Sequence, residues 1–187
     1  MNITYITQKI EHLAVKTRPV YWLLGKYYKN IVNNEVALAS ITKNDHVLCV
    51  GGGICPASAI LLHKSTGAKI TVIDNCQQCI QKATEVISKL GLNGSITMLH
   101  KDGACDDLEL DKFTVVHFAA QVTPMWHVVQ QIEARVKAGT KLLVRRPKQG
   151  IAKLYSCLAP GFCKDCPLVK HNGPCNLGST LLYVKAG

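Results

Sequence analysis

The segment VLCVGGGICPAS, Val47 to Ser58, constrains this chain more than any other. His46 to Val50 is a short apolar run that reads as a buried strand of a parallel sheet. Gly51, Gly52 and Gly53 stand at its carboxyl end, and Pro56 to His63 reads as a helix closed by Gly67. Glycines there let the backbone turn tightly and approach a ligand without a Cβ clash, beside the positive end of the following helix. Lys69 to Asp74 is a second strand, rich in β-branched residues. Asp74, at its end, is placed to accept hydrogen bonds from the two hydroxyls of an adenosine ribose. Strand, glycines, helix, strand and acid fall in register, which favours a nucleotide-like ligand over a tight turn that binds nothing.

The alternation continues. Gln77 to Leu90 is an amphipathic helix stopped by Gly91, and Ser95 to Leu99 a third strand that runs toward Asp102-Gly103-Ala104. Phe113 to Ala120 is a fourth strand, Met125 to Val136 a helix, and Lys141 to Val144 a fifth strand. Strands alternating with helices at this spacing predict a three-layer α/β, Rossmann-like fold with a mostly parallel sheet. Residues 1–44 read as an N-terminal helical lid of two segments with a break or first turn at Pro19, and residues 45–150 as the ligand-binding unit. Residues 151–187 read as a C-terminal strand pair, Leu154-Tyr155 with Ser179 to Val184, around a cysteine-bearing loop. The three are expected to form one compact unit.

Composition narrows the class. Hydrophobic residues at 48% and charged residues at 18% exclude a disordered or low-complexity chain. No run reaches the ~20 apolar residues of a membrane span, and the N-terminus lacks the apolar core of a signal peptide. A soluble, cytoplasmic protein is therefore expected. Lys+Arg 22 against Asp+Glu 12 gives a net charge of +10, which favours an anionic partner over an idle basic surface only evenly.

Position 56 is Pro where the dinucleotide fingerprint has its third glycine. Instead, residues 45 to 150 resemble the class I S-adenosylmethionine-dependent methyltransferase superfamily. Gly51, Gly53, Asp74 and the group Asp102-Gly103-Ala104 match that superfamily's motifs, while Cys55 and Cys49 replace a third glycine and a preceding acid. Within the superfamily, GGG-I-C-P looks most like the nicotianamine synthase family. Tyr27-Tyr28-Lys29-Asn30, Ala119-Ala120 with Pro124, and Gly150 with Leu154-Tyr155 are similar to that family too. Thr123 stands where an acid is expected. The resemblance implies S-adenosylmethionine as cofactor, held by Gly51, Gly52, Gly53, Asp74, Asn75, Asp102, Gly103, Ala104 and Ala119, with Tyr28 reaching over it.

Further residues suggest chemistry. Cys157, Cys163, Cys166 and Cys175 are spaced C-x5-C-x2-C-x8-C among turn residues, which predicts a tetrahedral zinc site or, as rival, an iron–sulfur cluster. With nine cysteines and no secretory signal, reduced thiols are expected. Cys76 and Cys79 form another C-x2-C, read as buried packing thiols in preference to a redox pair. Arg145 and Arg146 end strand five, where guanidinium groups would hold a substrate carboxylate or phosphate. His117, within a strand, reads as a satisfied core residue, and no catalytic base is assigned.

The leading expectation is a methyltransferase acting on a small anionic molecule, ranked first on superfamily frequency. The first alternative, which rests on the family resemblance, is aminocarboxypropyl transfer that builds a metal-chelating small molecule. The second is an RNA-modifying or nucleic-acid-binding protein with a metal knuckle. Aromatics at 6%, with no basic stripe interleaved, rank nucleic acid below a small molecule as partner. A homo-oligomer is compatible with the sequence, and no membrane partner is expected.

Overall fold

Among the described residues seven strands, β1 (His46–Val50), β2 (Lys69–Asp74), β3 (Ile96–His100), β4 (Val115–Phe118), β5 (Lys141–Pro147), β6 (Leu168–Lys170) and β7 (Leu177–Val184), form one sheet in the order β3-β2-β1-β4-β5-β7-β6. The structure, a computed structural model, describes residues 18–187 apart from Asp106 and Pro160, and side chains from residue 25 onward. Strands β1, β2, β3, β4 and β5 run parallel. The sheet ends in an antiparallel pair, with β7 between β5 and β6. This is the expected α/β architecture, with the C-terminal pair built into the same sheet.

Period-two alternation divides the strand residues between two cores. Val47, Ile70, Val72, Val115 and Leu143 point to one face. There they pack against helices α1 (Arg18–Ala39), α2 (Ala57–Thr66) and α3 (Gln77–Lys89). Leu48, Val50, Ile73, Val116, Phe118 and Val144 point to the other face, covered by α4 (Met125–Arg135). Both faces are buried, so the central strands carry near-continuous apolar runs.

Two local expectations are corrected. Leu154-Tyr155 is not a strand: Gln149–Leu154 is a 3₁₀ helix whose last turn closes through Tyr155 N–H to the Ala152 carbonyl at 3.0 Å. The strand that pairs with the C-terminal one is Leu168–Lys170, two of whose three side chains are exposed, as befits a short edge. In the N-terminal region one helix, α1, is described with Pro19 in its first turn, where its missing N–H costs nothing. The first expected helical segment lies outside the described residues. Among the described residues, no helix is long and apolar enough to cross a membrane.

Candidate functional site

The carboxyl ends of β1, β2 and β4 open into a cleft of about 730 Å³. Its position follows from topology. Strand β1 connects to β2 on one side and β4 lies on the other, so the crevice forms where the strand order reverses. The glycine loop forms the lip. Gly51 sits at φ +85° and donates its N–H to the Ile73 carbonyl at 2.9 Å. A Cβ on Gly52 would run into the Cγ1 of Val72, so this turn hugs β2 too closely for any side chain.

Asp74 couples that loop to β2. Its Oδ2 accepts the Gly53 N–H at 2.8 Å and its Oδ1 accepts the Cys76 N–H at 2.9 Å. A carboxylate has about four acceptor directions, so two remain for ligand hydroxyls. Across the cleft, Asp102 Oδ1 accepts the Ala104 N–H at 2.9 Å, which fixes the turn after β3. Of the expected cofactor residues, Tyr28, Gly51, Gly52, Gly53, Asp74, Asn75, Asp102, Gly103 and Ala119 all line this cleft. Ala104 does not reach the lining and serves the turn through its N–H.

The opposite wall is aromatic and comes from both ends of the described chain. Tyr27 and Tyr28 of α1 meet edge to face at 4.8 Å between centroids. The Tyr27 hydroxyl accepts the Asn176 N–H at 2.9 Å, and Tyr155 packs into the same cluster with Ile31, Cys175 and Leu177. Burial pushes the Tyr27 and Tyr155 phenols up, so both are neutral walls at physiological pH.

Beneath this wall lies a buried ionic network. Cys49, His117, Arg145 and Thr180 are cross-strand neighbours on the face that α1 covers: Cys49 pairs with His117, and Arg145 with Thr180. Glu35 of α1, with no exposed surface, descends onto them. The Arg145 Nε and Nη2 donate to its two carboxylate oxygens at 2.8 Å each. The Thr180 hydroxyl donates at 2.7 Å, and His117 Nε2 lies at 3.2 Å. Burial pushes the Glu35 carboxyl up, but Arg145 and then His117 overcome this and hold it well below the usual carboxylate range. Burial, reinforced by Arg145, lowers His117, so its imidazole is neutral. The Cys49 thiol, pushed up to about 12 by burial, is inert.

The expected pair of anion-binding arginines is therefore separated. Adjacent strand residues face opposite ways. Arg145 is buried, its charge matched by Glu35, its Nη1 donating to Ser58 Oγ at 2.8 Å and its guanidinium 5.4 Å from the centre of the Tyr28 ring. Arg146 is exposed and outside the cleft lining. Glu35 escaped the sequence reading, although it follows Ile31 and Val32 by four and three positions, the spacing of one helix face. An acid in register with an apolar stripe was the available signal.

The C-terminal cysteines do not assemble as expected. Cys163 and Cys166 form a disulfide, and no three of the four thiols lie within 4.8 Å of one another. Cys175 is buried and donates to the Leu177 carbonyl at 3.2 Å, while Cys157 is exposed. The intervening turns spread the sulfurs apart, which spacing alone does not report. The expectation of uniformly reduced thiols is corrected at that one pair.

The family described as "Nicotianamine synthase protein" matches residues 12–165. The chain belongs to the nicotianamine synthase family. L-histidine 2-aminobutanoyltransferase of Yersinia pestis is 24% identical over 130 residues, 70% of this chain and 48% of the relative. The chain thus spans about half the length of that curated relative. A glutamate-to-glutamine mutant of MtNAS, solved in complex with S-adenosylmethionine, superposes with a TM-score of 0.79 at 22% identity over 96% of this chain and 71% of that one. MtNAS with MTA and tNA bound gives 0.78 at 22% identity, over 95% and 69%. An RNA methyltransferase from Salinibacter ruber with S-adenosyl-L-homocysteine gives 0.65 at 15% identity, over 84% and 91%. The fold of this nicotianamine synthase family member is that of the class I S-adenosylmethionine-dependent transferases.

Proposed function

We propose that this protein is an S-adenosylmethionine-dependent aminocarboxypropyl transferase whose acceptor is an amino acid. One observation carries the reading. A single cleft joins the glycine loop and Asp74, suited to an adenosine, to an aromatic wall from Tyr27, Tyr28 and Tyr155. Family membership favours aminocarboxypropyl over methyl transfer, and the name of the Yersinia pestis relative supplies the acceptor class. The expectation of methyl transfer, which rested on superfamily frequency, gives way to this alternative.

The chemistry is a displacement at a carbon beside a sulfonium. The acceptor amine forms the new N–C bond, the C–S bond breaks, its electron pair neutralises the sulfonium, and the amine proton passes to solvent. Attack on the aminocarboxypropyl carbon releases 5′-methylthioadenosine, and attack on the methyl carbon releases S-adenosylhomocysteine. The protein's task is to align donor and acceptor, which alone supplies several kcal/mol of the ~7–11 available from orientation. Asp74 and the glycine loop hold the adenosine. Tyr28, braced by Arg145 beneath and Tyr27 beside it, shapes the space over the sulfur. Arg145 lines the cleft, but Glu35 already matches its charge, which disfavours it as the acceptor's anion site.

The test is product analysis. Purified protein is incubated with S-adenosylmethionine and L-histidine, or a panel of other amino acids. The expected products are 5′-methylthioadenosine and an acceptor heavier by one aminocarboxypropyl group. S-adenosylhomocysteine as the sole nucleoside product would replace this reading with methyl transfer.

A further inference from the structure

We propose that Asp74, Cys76 and Cys79 form a binding site for a thiophilic divalent cation of the zinc class, placed inside the cofactor cleft so that metal and S-adenosylmethionine exclude each other. The exclusion rests on the functional reading above; the metal site itself does not.

Among the described residues this is the one group of three or more His, Cys, Asp or Glu side chains with ligand atoms all within 4.8 Å of one another. The backbone builds it. Strand β2 ends at Asp74, the chain turns through Asn75, and Cys76 caps α3, with Cys79 one helical turn further on. In a Cys-x2-Cys at a helix start both sulfurs project to the same side. Here the Cys76 sulfur already accepts the Cys79 N–H at 3.3 Å, and the Asp74 carboxylate accepts the Cys76 N–H at 2.9 Å. These backbone bonds orient the ligand atoms, as outer hydrogen bonds do at metal centres. Neither cysteine is in a disulfide.

The dimensions fit zinc. With Zn–S near 2.3 Å, two sulfurs of a tetrahedral site stand ~3.8 Å apart. The three ligand atoms already lie within 4.8 Å of one another, the scale of such a site. Two thiolates and one carboxylate suit zinc or a similar soft divalent ion over magnesium or calcium, which prefer oxygen. Three protein ligands leave a fourth position open toward the cleft that all three residues line.

The overlap arises at Asp74. Its two remaining acceptor directions are those a ribose would use. A metal bound there occupies them and places its own charge where the ribose hydroxyls must lie. Binding of either species therefore lowers the affinity for the other by the same factor.

The experiment is an anaerobic cobalt(II) titration of the reduced full chain carrying Cys163→Ser and Cys166→Ser, so that the second Cys-x2-Cys cannot contribute. One cobalt per chain with an intense thiolate charge-transfer band is expected, bleached by stoichiometric zinc. Cys76→Ser and Cys79→Ser should each abolish the band, with folding checked by circular dichroism. Thermal shift gives a second readout, with zinc raising the melting temperature of the parent and not of Cys76→Ser. S-adenosylhomocysteine at about 100 times its own Kd should weaken zinc binding about a hundredfold. Absence of the band, or a band that survives both cysteine variants, overturns the site. Unchanged zinc affinity in saturating S-adenosylhomocysteine overturns the exclusion. If metal-free protein fails to bind S-adenosylhomocysteine, the functional reading falls while the cobalt band still decides the metal site.

Discussion

Glu35 and Arg145, 110 positions apart in sequence, meet in a two-point ion pair of 2.8 Å bonds with almost no exposure to solvent. The pair fastens α1 to β5 beneath the aromatic wall of the cleft. Truncating one partner leaves the other as an unmatched buried charge. Glu35→Ala should therefore cost about 3–5 kcal/mol of stability. The double variant Glu35→Leu/Arg145→Met should recover most of that, since packed apolar residues often replace a buried pair at little cost. Urea denaturation of the singles and the double measures both, and a loss below about 1 kcal/mol in the single variant would remove the pair as a fastener.

Acid should destabilise the fold through the same network. Glu35 is depressed below its unfolded value, so its contribution is full above about pH 4.3 and is lost as pH falls through its folded value. His117 is depressed too, so the unfolded chain takes up its proton first, below about pH 6.5, and stability declines from there. Both signs agree. Melting temperature should fall from pH 7 toward pH 4, and His117→Gln should flatten the upper part of that slope. A profile identical to the parent's would show that His117 does not contribute.

Cofactor affinity should depend on the lip of the cleft. Asp74→Ala removes the acceptor for two backbone N–H groups and for the ribose, and should weaken S-adenosylhomocysteine by about 1–3 kcal/mol. Gly52→Ala forces aside Val72, which lines the cleft, and should lower affinity as well. Calorimetry on the two variants checks this. Unaltered affinity in both would place the cofactor elsewhere.

The Cys163–Cys166 disulfide closes a very short loop, with a sequence separation of 3. Loop-closure entropy then assigns it no more than about 2 kcal/mol. Mild reduction should lower the melting temperature by a few degrees and leave S-adenosylhomocysteine affinity intact. A collapse of the fold on reduction would contradict this.

Much of the frame is written locally. The apolar runs at 46–50 and 69–74, the glycines between strand and helix, and the acid ending β2 each follow from neighbours in sequence, and all stand where expected. What escaped depends on distant partners. An acid on an apolar helix stripe reads as a defect until Arg145 and Thr180 arrive from the far side of the sheet. Arg145 reads as a ligand-binding rim residue for the same reason. Cysteine spacing is silent on whether two sulfurs bond to each other or share an ion. Edge strand β6 is three residues long and mostly exposed, too short for a period to show.

Strand β7 lies between β5 and β6, although it is translated after both. All five parallel strands precede Leu177 in the chain, so until β7 pairs with it β5 is the edge of that sheet. During that interval Glu35 lacks the Thr180 hydroxyl and Tyr27 lacks the Asn176 N–H. An unpaired, apolar strand edge is the feature most prone to capture by another chain. One strand pairing, β7 on β5, thus both covers that edge and brings Thr180 to Glu35, with Asn176 just ahead of it reaching Tyr27.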